Sequence, residues 1–107
     1  MIEFKESSGN VYADMGVPDA DEMLVKAKLA SKIEEIIKSR KWSQQQAADV
    51  LGIPQSKLSK MLNGHFRGIS ETKMIECLTR LGRDVQIVVG PARRRSLAGH
   101  VAVVFAV

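Results

Sequence analysis

Residues 43–64 read Ser-Gln-Gln-Gln-Ala-Ala-Asp-Val-Leu-Gly-Ile-Pro-Gln-Ser-Lys-Leu-Ser-Lys-Met-Leu-Asn-Gly. Two short helices joined by a tight turn at Gly52 are expected here, because small and apolar residues fall where such helices must touch. Ala48 lies four residues before the glycine, at the point where a larger side chain would push the helices apart. Leu58 and Met61 share one helical face and can close over Ala47, Ala48 and Leu51. Gly52 supplies the positive φ that a sharp turn demands. Outward on the second helix remain Gln55, Ser56, Lys57, Ser59 and Lys60, all hydrogen-bond donors and none acidic. Such a surface suits a helix laid into the major groove of DNA.

The block resembles the helix-turn-helix of the XRE family, the Cro/lambda-repressor type. Gln44, Ala47, Ala48, Leu51, Gly52, Ile53, Gln55, Leu58, Ser59, Met61, Leu62, Asn63 and Gly64 carry the match, with small, turn and apolar positions in one register. Two further segments, Ser8 to Glu22 and Leu81 to Val89, look like a small XRE subgroup that includes HigA-type antitoxins. The resemblance covers most of residues 8–90. It implies a mainly α, lambda-repressor-like domain of four or five helices, and a homodimer reading a palindromic operator. For the subgroup it also implies a second possible partner, a small RelE-like ribonuclease toxin. The last seventeen residues resemble nothing that can be placed.

At 107 residues the chain is expected to form one domain with a modest core, too small for a deep catalytic cleft. Aromatic residues make up 5%, so that core must be aliphatic. Cys77, the sole cysteine, excludes an internal disulfide and fits a reducing cytoplasm. Neither a signal peptide nor an apolar run of membrane-spanning length is apparent. The net charge of +4 is unevenly spread: residues 1–22 hold six acids against Lys5, a net −5, so the remainder carries +9. Lys38, Arg40, Lys41, Lys57, Lys60 and Arg67 surround the motif with only Asp49 opposing them. That distribution is the footprint expected for a phosphate-backbone partner.

Outward from the motif, the chain divides into an N-terminal arm (1–18), the helix-turn-helix domain (19–82), a strand used in dimerisation (83–90) and a basic, apolar tail (91–107). Asp19 followed by Glu22 has capping-box spacing and predicts a long helix to about Arg40. Leu29, Ile33, Ile36 and Ile37 form its apolar stripe, with Lys26, Lys28, Lys32, Glu34, Glu35 and Lys38 on the polar side. Ser43 and Gln46 repeat the capping-box spacing, Pro54 opens the next helix, and Ser70 caps a last one that ends at Gly82. Met74, Ile75, Leu78 and Leu81 are its expected core face. Val85, Ile87 and Val89 then lie in a β-branched run, which predicts a short strand. A lone strand cannot satisfy its backbone. Its partner is either the same strand of a second copy, or Val101–Phe105 or Ile2–Phe4 within one chain.

Individual roles follow from side-chain chemistry. Gln55, Ser56 and Lys60 are the expected base-edge contacts, since Gln pairs with adenine and Lys donates to guanine. Gln44, Gln45, Lys57, Ser59, Asn63 and Arg67 are expected on phosphate, the first two because a helix N-terminus favours an anion. His65 either joins them or stays a solvated imidazole. Trp42 is expected to pack between the first two helices rather than stack on a base. Ala48, Gly52, Leu58 and Met61 are the packing positions of the motif. No enzyme signature and no cofactor or metal constellation is present in the sequence.

Overall fold

Each helix starts and stops where short-range chemistry dictates. The computed structural model describes residues 19–92 and 98–106, so the expected arm over 1–18, the Arg93–Arg95 run and Val107 lie outside the described residues. Among the described residues there are four helices: α1 (Ala20–Ser39), α2 (Gln44–Leu51), α3 (Gln55–Leu62) and α4 (Glu71–Arg80). At the start of α2, Ser43 Oγ accepts from the Gln46 N–H (3.2 Å) and the Ser43 N–H donates to Gln46 Oε1 (2.9 Å). This reciprocal box satisfies two donors that a helix start leaves open. Ser70 caps α4 by accepting from the Lys73 N–H at 3.1 Å. Pro54 sits just outside α3, as its N-cap, with extended backbone.

All four helices end in the same way. One N–H reaches back to the carbonyl three residues earlier and the next N–H reaches back five. For α2 the donors are Gly52 and Ile53, to Asp49 and Ala48. For α3 they are Gly64 and His65, to Met61 and Lys60, and for α4 Gly82 and Arg83, to Thr79 and Leu78. This closure needs one residue in the left-handed region, which is glycine's natural place. Gly52, Gly64 and Gly82 take it at φ 68, 84 and 83. After α1 the same position is held by Lys41 at φ 57, with Lys41 and Trp42 donating to Lys38 and Ile37. A side chain there works against the preference of L-residues, at roughly 1–2 kcal/mol.

Helices of eight residues do not persist alone in water, so tertiary packing must hold α2 and α3. Ala47, Ala48, Leu51, Leu58 and Met61 are all buried, and α2 packs on α3 through them. α1 lies mainly against α4 and also meets α3, with Leu29, Ile33, Ile36 and Ile37 buried as their spacing predicts. Met74, Cys77, Leu78 and Leu81 complete the core from α4, with Ile75 partly buried at its edge. Burial pushes the Cys77 thiol above its usual range.

Two expectations about α1 are corrected. Asp19 precedes the helix but makes no side-chain cap bond; its carboxylate reaches Arg67 instead, at 2.7 Å. Lys26, placed on the polar side by its spacing, is only 4% exposed. Its ammonium donates to the Phe66 carbonyl (3.2 Å) and lies between Glu22 (3.2 Å) and Glu71 (3.6 Å). A buried cation requires such a set of oxygens. They tie the start of α1 to the loop after α3 and to the start of α4.

The C-terminal strand is also corrected for the single chain. Residues 83–92 form no strand, and Val85–Val89 pairs with no other described segment. A strand exists only as part of a ladder, and the other described residues offer none; pairing with residues 2–4 falls outside the described residues. Ile87, Val88 and Val89 stand 81%, 82% and 91% exposed. Residues 98–106 are likewise without a ladder. Val103 packs on the core, and the Lys32 ammonium sits 4.8 Å from the centre of the Phe105 ring.

Candidate nucleic-acid interface

Burying Leu58 and Met61 fixes the rotation of α3 and thereby decides which of its side chains point away. Gln55, Ser56 and Lys60 are exposed, while Lys57 and Ser59 are half-buried. By helical spacing, Gln55, Ser56, Ser59, Lys60 and Asn63 share the outward face, whereas Lys57 lies on the flank beside Met61. Gln55, Ser56 and Lys60 hold no side-chain partner among the described residues, so their donors are available. Ser59, expected on phosphate, shares this face by helical phase but is half-buried. Asn63 folds back on the helix, its Nδ2 donating to the Ser59 carbonyl (2.9 Å) and, more weakly, to Ser59 Oγ (3.4 Å).

The start of α2 offers a second approach. The capping box uses the N–H groups of Ser43 and Gln46, leaving those of Gln44 and Gln45 as open donors at the positive end of the helix. The Gln44 side chain is exposed, whereas Gln45 Nε2 donates to Asp49 Oδ1 at 3.2 Å. Gln44 is therefore the freer of the two expected phosphate ligands.

Beside α3 runs an open groove of about 850 Å³. Met23, Phe66 and Ile69 form its apolar floor, Lys57, Lys60 and Arg67 its cationic edge, and His65 lines it beside them. Arg67, expected on phosphate, lines the groove with Lys57 and Lys60, and its guanidinium is paired with Asp19. Nothing local in the sequence announces that pairing, since the partners lie 48 residues apart.

Arg40 and Trp42 turn out to be framework. The Arg40 guanidinium lies 5.0 Å from the centre of the Trp42 ring and donates to the Leu81 carbonyl at 2.6 Å. Trp42 packs against the core, as expected of a residue that fixes the angle between α1 and α2. The Arg80 guanidinium covers Gly52, with NH1 2.9 Å from where a Cβ would stand. Among the described residues no group of three or more His, Cys, Asp or Glu is placed to hold a metal ion. No helix there is long and apolar enough to cross a membrane.

A short helix packed across a glycine turn onto a second, with free donors along its outer face, defines the helix-turn-helix class. A family model described as a helix-turn-helix domain matches residues 11–90. A solved structure of a protein named as an XRE family transcriptional regulator is 36% identical, with a TM-score of 0.74, over 83% of this chain and 100% of that one. No curated protein matches the chain. The chain belongs to the XRE-type helix-turn-helix family.

Proposed function

We propose that this chain is a DNA-binding transcriptional regulator that acts as a dimeric repressor on a palindromic operator. The observation that carries it is the outer face of α3, where Gln55, Ser56 and Lys60 stand exposed on a helix whose other side is locked into the core. In the mechanism this supports, Gln44 and the open N–H groups of α2 set the register against phosphate. Gln55, Ser56 and Lys60 then read base edges in the major groove. Lys57, Ser59, Asn63 and Arg67 flank that contact, and Gln45 supports it from α2. No cofactor takes part. Occupancy of a promoter by the dimer excludes polymerase.

The dimer joins through Val85–Val89, whose exposed β-branched side chains, and backbone without a ladder among the described residues, suit the same segment of a second copy. Two α3 helices held about 34–36 Å apart would meet successive major grooves on one side of the duplex. The family name of the similar structure supports regulation of transcription. The HigA-type resemblance adds a second activity, neutralisation of a small RelE-like ribonuclease toxin, with the net negative charge of residues 1–22 complementary to a cationic enzyme. Co-purification with the product of a neighbouring toxin-like reading frame tests that addition. The reducing cytoplasm suits all of these roles.

The test of the central reading is operator selection followed by substitution. Gln55→Ala and Lys60→Ala should each cost about 1–3 kcal/mol of specific binding and relax base preference. Gln44→Ala should weaken selected and random duplexes alike, because phosphate carries no direct sequence information. Unchanged base preference in both α3 variants would move the recognition face elsewhere.

A further inference from the structure

Asp19 has a role that its position does not suggest. As the residue before α1 it is placed to cap the helix, yet it makes no side-chain cap bond and holds Arg67 Nη1 at 2.7 Å. Its Oδ2 is committed to that pair, while Oδ1 is buried without a partner. Arg67 remains 66% exposed on the side chain and stands on the cationic edge of the groove, with Lys57 and Lys60. One acid thus sits on an arginine that lines the groove beside α3.

We propose that Asp19 is an internal stand-in for a DNA phosphate, occupying Arg67 and limiting the affinity of the protein for the nucleic-acid backbone. This rests on the α3 face meeting DNA. A guanidinium and a phosphate make the same charge-assisted, paired hydrogen bonds as a guanidinium and a carboxylate. The two anions therefore compete for one cation. Releasing Arg67 would leave a carboxylate whose second oxygen already lacks a partner, so the exchange is costly for the protein. An arginine neutralised in this way displaces no counterion from DNA, and the salt dependence of binding counts one cation fewer. Since the contact is to backbone, Asp19 sets the level of affinity and leaves base preference unaltered.

The experiment uses the full chain and titrates a random-sequence duplex over a range of NaCl concentrations. Asp19→Asn removes the charge and leaves a good capping residue. It should tighten binding about two- to five-fold, the scale of an exposed ion pair, and steepen the log–log salt slope by about 0.9. Adding Arg67→Ala to Asp19→Asn should return both quantities to wild type. Asp21→Asn, an equal charge change two residues on, should give a clearly smaller gain. Thermal melts check folding, and Asp19→Ser repeats the measurement if the asparagine variant does not fold. An unchanged slope in Asp19→Asn, a gain that survives Arg67→Ala, or an equal gain in Asp21→Asn would overturn the proposal while normal wild-type binding left the DNA reading intact. A wild-type chain without salt-dependent DNA binding would overturn both.

Discussion

α3 and the segment 83–92 are both rich in apolar residues, yet they meet opposite fates. In α3 the apolar residues Leu58 and Met61 are buried against α1 and α2. In 83–92 Ile87, Val88 and Val89 face solvent. A helix closes its own backbone, so it needs from the rest of the chain only a surface for one stripe. A strand needs a neighbour for its backbone before its side chains matter. Helical periodicity therefore predicts both structure and burial within one chain, whereas a β-branched run predicts only a demand for a partner.

The sharpest test of that contrast is to remove the same kind of atoms from both regions. Leu58→Ala should destabilise the fold by about 2–5 kcal/mol, through lost burial and the cavity left behind. Ile87→Ala should change the stability of the isolated chain by no more than about 0.5 kcal/mol, as for an exposed surface site. Paired denaturant melts at dilutions where any dimer dissociates make the measurement. Similar losses at the two positions would mean that 83–92 packs within the chain and that the contrast is false.

A smaller effect sharpens the helical side. Lys41 alone fills a left-handed helix closure without being glycine. Lys41→Gly should stabilise the chain by up to about 1 kcal/mol, the relief of backbone strain less the extra freedom of glycine when unfolded. Thermal unfolding at matched salt reads it out. A destabilised variant would show that the Lys41 side chain holds a favourable contact that outweighs its backbone.

The smallest effect on the fold carries the largest consequence for assembly. Ile87→Pro removes a ladder donor from a segment that makes no ladder with the other described residues, so α1–α4 should melt within about 0.5 kcal/mol of wild type. Sedimentation should nonetheless show monomer, and a full palindrome should lose its advantage over a half-site. A variant that stays dimeric with wild-type operator affinity would move the interface, with Val101–Phe105 the next segment to examine.

The helices, their caps and most of the core are legible in the sequence because they depend on neighbours within five residues. Ser43 with Gln46, Ser70, Gly52, Gly64 and Gly82 all act over that range. What the sequence hides is long-range pairing of charge. Asp19 looks like a cap by spacing, but its partner Arg67 is far along the chain. Lys26 looks solvent-facing because it is a lysine, yet Phe66, Glu22 and Glu71 converge on it from three places. Within the candidate interface the exposed donors of α3 follow from helical phase alone. The occupation of Asn63, Gln45 and Arg67 by internal partners does not: Arg67 finds its acceptor 48 residues away, and Asn63 and Gln45, though their acceptors are four residues off, have several exposed rotamers of similar energy to choose among.

The solitary thiol of Cys77 lies on the face of α4 that is sealed into the core. A reagent in solution can meet it only in molecules that have opened, and burial further suppresses the reactive thiolate in those that have not. Every copy of the protein thus carries a single-use fuse wired to its own unfolding. With a reagent that reacts faster than the molecule recloses, the rate at which a purified population loses free thiol counts opening events.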